Sequence, residues 1–188
     1  MNILQAIDDP KLFAPWFRNP ATWRAWRVFL ATLFGLPAYE PEQFEIFRQC
    51  TGRAMPPPPG QAVTEAWLIC GRRAGKSFVL ALIAVFLACF RDYREYLQPG
   101  ERGTVVVIAA DKKQARTIMR YIRGMLTRIP MLKRCIERET AESFDLAKSV
   151  SIEVGTASFR AARGANPNRC LVRRAGILAH RRQRQPGL

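Results

Sequence analysis

Residues 66–90 narrow the fold more than any other stretch. A short apolar run (Ala66-Trp67-Leu68-Ile69-Cys70) leads into a turn containing two glycines, and thirteen uncharged apolar residues follow at 78–90. Thirteen residues fall short of the ~20 that span a bilayer. The run therefore predicts a helix buried on every side in an α/β core, and no membrane association. Between the two runs lies Gly71-Arg72-Arg73-Ala74-Gly75-Lys76-Ser77. Strand, glycine loop and helix in that order is the layout of a phosphate-binding loop. Backbone N–H groups of such a loop face the phosphates, and the aligned peptide dipoles of the helix favour negative charge there. Lys76 would reach the outer phosphates and the Ser77 hydroxyl would ligate Mg²⁺. The loop departs from G-x-x-x-x-G-K-[ST], because Cys70 stands where the first glycine belongs and Gly71 comes one place late. A helix that simply begins Gly-Lys-Ser is the plainer alternative; the flanking strand and helix favour the loop.

At 188 residues the chain is long enough for one domain with a real core. Its formal charge of +15 points to a polyanionic partner such as nucleic acid. Residues 1–153 hold 22 Lys+Arg against 15 Asp+Glu, while residues 154–188 hold eight Arg and no acid. More than half the excess thus sits in the last fifth of the chain. The five cysteines (Cys50, Cys70, Cys89, Cys135, Cys170) form no C-x-x-C pair. That spacing argues against a zinc site or disulfide framework and for a reducing, cytoplasmic setting. Asp8 and Asp9 precede no apolar core of the secretory kind.

Four regions are expected. Residues 1–50 form an N-terminal helical region: Asn19-Pro20 reads as N-cap and N1, and Trp23, Trp26, Phe29, Leu30 and Phe34 make a stripe stopped by Gly35-Leu36-Pro37. The stripe reads first as core packing and second as a docking face. A short helix follows over 41–50. Residues 51–64, with Pro56 to Pro59, form a proline-rich linker. Residues 65–164 form the core. There a strand is expected at 66–70, a helix to about Tyr96, and a buried strand over 104–110. A helix from Asp111 to Pro130 carries Ala115, Ile118, Ile122, Met125 and Ile129 on one face; residues 131–148 read as helical in part. Ser149 to Val154 alternates as a strand. Alternating strands and helices imply a parallel sheet with the phosphate loop at the carboxyl end of its strand. Residues 165–188 form a basic tail, disordered or out of frame.

The loop lacks one glycine and carries arginine directly after its first residue, and in this it resembles the Walker A loop of phage terminase large subunits. Val105-Val106-Val107-Ile108-Ala109-Ala110-Asp111-Lys112-Lys113-Gln114-Ala115-Arg116 looks like that family's next strand and helix. Thr156-Ala157-Ser158-Phe159-Arg160-Ala161-Ala162-Arg163-Gly164 is similar to the approach to its Walker B strand. The likeness covers roughly residues 60–164. It implies an incomplete P-loop NTPase-like (RecA/terminase-type) parallel sheet with flanking helices, preceded by the N-terminal helices as a lid-like region. It further implies ATP hydrolysis coupled to packaging of double-stranded DNA, in a bacterial host, with a terminase small subunit and a portal protein as partners. Position by position, Gly71 to Ser77 would hold ATP, Ser77 would hold Mg²⁺, and Arg72 would face the γ-phosphate as charge develops. Arg72 and Arg73 also read as solvated surface charges. Asp111 and Gln114 read as an N-cap with its N3 partner rather than as catalytic groups. Thr51-Gly52-Arg53 is a weak candidate for adenine or ribose, and Arg163-Gly164 for DNA or a neighbouring site. His180, the single histidine, fits no triad or metal role.

A Walker B motif needs an apolar strand ending in Asp-Glu, one acid for Mg²⁺ and one for the attacking water. The corresponding positions here are Arg173 and Arg174, after Asn166-Pro167-Asn168-Arg169-Cys170-Leu171-Val172, where proline is out of place in a central strand. Roughly four acids would be expected in residues 154–188 at average usage. Their absence points to a reading-frame shift or rearrangement near Gly164, which would also account for the missing nuclease domain; a basic DNA-binding arm is the rival explanation. The expected product is an ATP-binding terminase-like fragment defective in hydrolysis, with an exposed sheet edge. The alternatives are a non-enzymatic nucleic-acid-binding module and a helicase-like P-loop ATPase whose acids come from a partner.

Overall fold

The computed structural model describes residues 1–36, 40–71 and 73–156, together with the backbone of residues 176–178. The N-terminal third is helical, as its caps and stripe predict. Helix α1 (Ile3–Asp8) opens on a capping box in which Asn2 and Gln5 exchange side-chain-to-backbone bonds. After a single 3-10 turn at Ala14–Trp16 comes α2 (Pro20–Leu33), where Asn19 accepts from the Ala21 N–H and Pro20 sits at N1. Arg27 ties α2 back to α1 through two bonds to the Asp8 carboxylate, 2.7 and 2.8 Å. Helix α3 (Pro41–Thr51) ends on Gly52 in the left-handed conformation.

The proline-rich stretch is pinned rather than loose. Gly60 N–H donates to the Gly35 carbonyl at 2.8 Å and Val63 N–H to the Leu33 carbonyl at 3.1 Å. Gly35 itself has φ +61°, and a Cβ there would lie 2.6 Å from the Gln61 carbonyl carbon. Only glycine allows this approach.

Strand β1 (Glu65–Trp67) precedes the loop, and α4 (Lys76–Phe90) follows it. Helix α4 is covered on two sides. Helix α5 (Lys112–Arg128) and strands β2 (Gly103–Ala109) and β5 (Val150–Thr156) pack on one. Residues of the N-terminal helices pack on the other: Phe34 meets Phe86 edge to face at 5.4 Å, and Phe17 meets Phe78 at 5.6 Å. This explains an apolar helix with no polar stripe. Val79, Leu82, Val85 and Phe86 are all at or below 1% exposure. The core is one contiguous cluster running from Ile3 to Val154.

The sheet departs from expectation in three ways. Its order is β2-β5-β4-β3, with β2 and β5 parallel; β4 (Ser143–Leu146) and β3 (Ile136–Glu139) form an antiparallel hairpin after the short helix α6 (Pro130–Lys133). The sheet is therefore mixed, not parallel throughout. Second, β1 is shorter than the expected 66–70 and does not join β2. It pairs in parallel with β6 (Gly176–Leu178) in a separate two-stranded sheet, and Trp67 and Ile69 stay exposed. Third, β2, expected to be buried, has Ile108 59% exposed; among the described residues it ends the larger sheet, an exposed edge of the kind expected. Helix α4 also stops at Phe90 rather than near Tyr96. Asp92 accepts from the Arg94 N–H at 3.1 Å, a local turn that competes with continuing the helix.

Candidate functional site

The loop following β1 turns tightly into α4. Arg73 (φ +61°) and Gly75 (φ +80°) both adopt the left-handed conformation, one on each side of Ala74. Both take a backbone conformation that L side chains rarely adopt, which folds the chain sharply at this point. At Gly75 a Cβ would meet the Trp23 ring at 3.4 Å, an ordinary contact, so the conformation rather than the space selects glycine. Gly75 is the N-cap of α4 and supplies no side-chain partner, which leaves the first-turn amides uncapped by any side chain. Phe78 and Val79 N–H groups both reach the Gly75 carbonyl at 3.0 Å.

Lys76 is the first residue of α4, and its ammonium folds back over the loop. Nζ donates to the Gly71 carbonyl at 2.5 Å and to the Cys70 carbonyl at 3.2 Å. The cation thus spans the mouth of the turn from its helix side. The Ser77 hydroxyl, in the next position, is half-buried and makes no hydrogen bond among the described residues. At Cys70, burial pushes the thiol pKa up, and the charge of Lys76 opposes the shift.

Trp26 makes a contact that the sequence reading did not foresee. Its indole N–H donates to the Ala74 carbonyl at 2.7 Å across 48 residues of sequence. With Trp23 against Gly75, helix α2 grips the apex of the loop from outside. The stripe reads as packing, and packing is part of what it does. A clue was available: a half-buried indole needs a partner for its N–H, and Trp is the one residue type in that stripe that carries such a donor.

The other candidates fall elsewhere. Asp111 caps α5 by accepting from the Gln114 N–H at 2.8 Å, while Gln114 reaches back to the Ala110 N–H at 3.3 Å. That is a capping arrangement, complete in itself. Thr51 and Gly52 end α3: the Thr51 hydroxyl donates to the Phe47 carbonyl at 2.8 Å, and Gly52 N–H to the Arg48 carbonyl at 2.8 Å. Arg72, Arg163, Gly164, Arg173, Arg174 and His180 lie outside the described residues. No group of three or more His, Cys, Asp or Glu is placed to hold a metal among the described residues.

No family model matches the chain, and no curated protein matches it. Among solved structures, the large terminase of bacteriophage HK97 resembles it with a TM-score of 0.43 and 16% identity, over 72% of this chain and 28% of that one. The likeness is too slight to carry an argument. The chain spans little more than a quarter of that protein's length. No helix among the described residues is long and apolar enough to cross a membrane.

Proposed function

We propose that residues 71–77 bind ATP with Mg²⁺, and that the chain is the nucleotide-binding portion of a terminase-like DNA-packaging ATPase. One observation carries the reading: Lys76 Nζ lies 2.5 and 3.2 Å from carbonyls at the opposite end of the loop it closes. An ammonium held there by neutral acceptors is placed to exchange them for phosphate oxygens, which form stronger charge-assisted bonds. The left-handed turn at Arg73 and Gly75 and the start of α4, which has no side-chain cap among the described residues, are where backbone N–H donors for the phosphates would come from. Ser77 is the hydroxyl for Mg²⁺, and Arg72 the cation for the γ-phosphate.

Mg²⁺, where bound, neutralises phosphate charge and orients the nucleotide. Activating water for attack needs a carboxylate, and the sequence carries Arg173 and Arg174 where the family resemblance would set acids. Binding without appreciable hydrolysis is the result. Double-stranded DNA, a small terminase subunit and a portal are the partners that this assignment brings with it.

Binding of a fluorescent ATP analogue to the wild type and to Lys76→Ala, with and without Mg²⁺, tests the reading. Losing a charge-assisted bond costs about 1.5–3 kcal/mol, so Lys76→Ala should bind about 10- to 100-fold more weakly. Equal affinity in the two proteins would refute nucleotide binding by this loop, and turnover above background would refute the inactive part.

A further inference from the structure

We propose that the groove between α5 and the 3-10 turn at Ala14–Trp16 binds single-stranded nucleic acid. The groove has a volume of about 440 Å³ and continues into a wider one of about 830 Å³, the two sharing Trp16 and Arg128. Among the described residues, no acidic residue lines either part. Arg120 and Arg128 stand on one bank and Arg18 at the far end, while Trp16, Phe78 and Tyr121 supply aromatic surface between them. Helix α5 has six cationic residues and no acid, and among the described residues only Arg123 is ion-paired, to Glu139. The charge on this face is therefore unspent.

Charge alone would describe a solvated helix face. The aromatic walls distinguish this surface. Tyr121 is 41% exposed and held edge to face against Phe78 at 5.5 Å and 89°, so its ring is oriented before any ligand arrives. Arg120 and Arg128 lie eight residues apart on one helix, about 12 Å along its axis. An unpaired strand can lay phosphates along such a row and turn base faces onto the rings. A duplex keeps its base faces stacked inside, and would meet Trp16 and Tyr121 only with sugar and phosphate. An acidic polypeptide would satisfy the arginines and leave the rings without a role. The groove would act whether or not the loop at 71–77 holds nucleotide.

The test is fluorescence anisotropy on the full chain, with labelled oligo-dT and a duplex of equal length, titrated over salt. The basic residues beyond 156 contribute alike to every variant, so differences between variants isolate the groove. Duplex binding should change by less than about twofold in Tyr121→Leu, because its base faces never reach the ring. Arg120→Ala with Arg128→Ala should flatten the slope of log affinity against log salt by about 1.4, two single-strand phosphate contacts' worth. Lys133→Ala with Arg138→Ala removes equal charge outside the groove and should leave the slope unchanged. Tyr121→Leu should weaken oligo-dT binding about tenfold at unchanged slope. Circular dichroism on each variant separates loss of fold from loss of binding, and Arg120→Gln with Arg128→Gln replaces any variant that unfolds. An equal loss of duplex binding in Tyr121→Leu, equal slope changes from both charge pairs, or displacement of oligo-dT by polyglutamate at matched charge would each overturn the proposal. ATP-analogue binding measured on the same groove variants should match wild type, which keeps failure of the groove distinguishable from failure of the loop.

Discussion

Trp26→Phe separates what the indole N–H does for the loop from what its ring does for the core. The ring packs edge to face with Phe29 at 5.8 Å and 82°, a contact phenylalanine can largely keep. What phenylalanine loses is the 2.7 Å bond to the Ala74 carbonyl. A neutral hydrogen bond is worth about 0.5–1.5 kcal/mol net. The Ala74 carbonyl is only part-buried and water can replace the donor, so the middle of that range, about 1 kcal/mol, is the expected loss. For a chain of this size that is a fall of about 2–4 °C in melting temperature. If the indole preorganises the loop, the same free energy appears in nucleotide affinity as a loss of about fivefold. Trp26→Ala removes the ring as well and should cost about 3 kcal/mol in stability. Circular dichroism melts and binding of a fluorescent ATP analogue, run on the three proteins, decide the matter. A Trp26→Phe protein that melts like wild type and binds like wild type would show that the bond holds nothing. One that melts lower yet binds normally would show that α2 supports the fold without positioning the loop.

Gly35→Ala should destabilise far more than Gly52→Ala, by at least about 2 kcal/mol in urea unfolding. Both place alanine at positive φ, which costs about 1–2 kcal/mol, but only Gly35 faces backbone at 2.6 Å while Gly52 faces open space. Leu82→Ala, at 0% exposure in α4, should cost about 3–5 kcal/mol and lower the melting temperature accordingly. Burial pushes the Cys89 thiol up to about 12, whereas Cys50 is exposed, so among the described cysteines iodoacetamide at mildly alkaline pH should label Cys50 first and Cys89 last by mass spectrometry. The unfolded chain gives up the Cys89 proton near 8.5 and the folded chain only near 12. Cys89 therefore favours the folded state fully below 8.5, and that contribution shrinks as pH rises through the window; Cys89→Ala should flatten the decline.

Much of this architecture can be read directly because its signals are local. Asn19-Pro20 starts α2, Asp111 with Gln114 starts α5, and the alternation of Val150, Ile152 and Val154 marks the inner face of β5. The glycine loop and its lysine are likewise adjacent in sequence. What escaped is set by distance or by unusual turn chemistry. The β3–β4 hairpin carries Glu137, Arg138, Glu139 and Glu142, too charged to look like sheet, and its turn contains neither Gly nor Asn. Thr140 builds that turn instead, its hydroxyl accepting from the Ser143 and Glu142 N–H groups at 2.9 and 3.3 Å. Strand neighbours are not encoded in a strand's own residues, so nothing in 65–70 tells that β1 stays apart from β2. The Trp26 bond to Ala74 is hidden for the same reason.

Because α4 is clad on both flanks, removing either cladding wets a rod of valine, leucine and phenylalanine. Deleting the first 35 residues would strip one flank, and losing α5 together with β2 and β5 would strip the other. The opening helices are thus half of the foundation on which the glycine turn stands, and a shortened chain would forfeit the turn along with them.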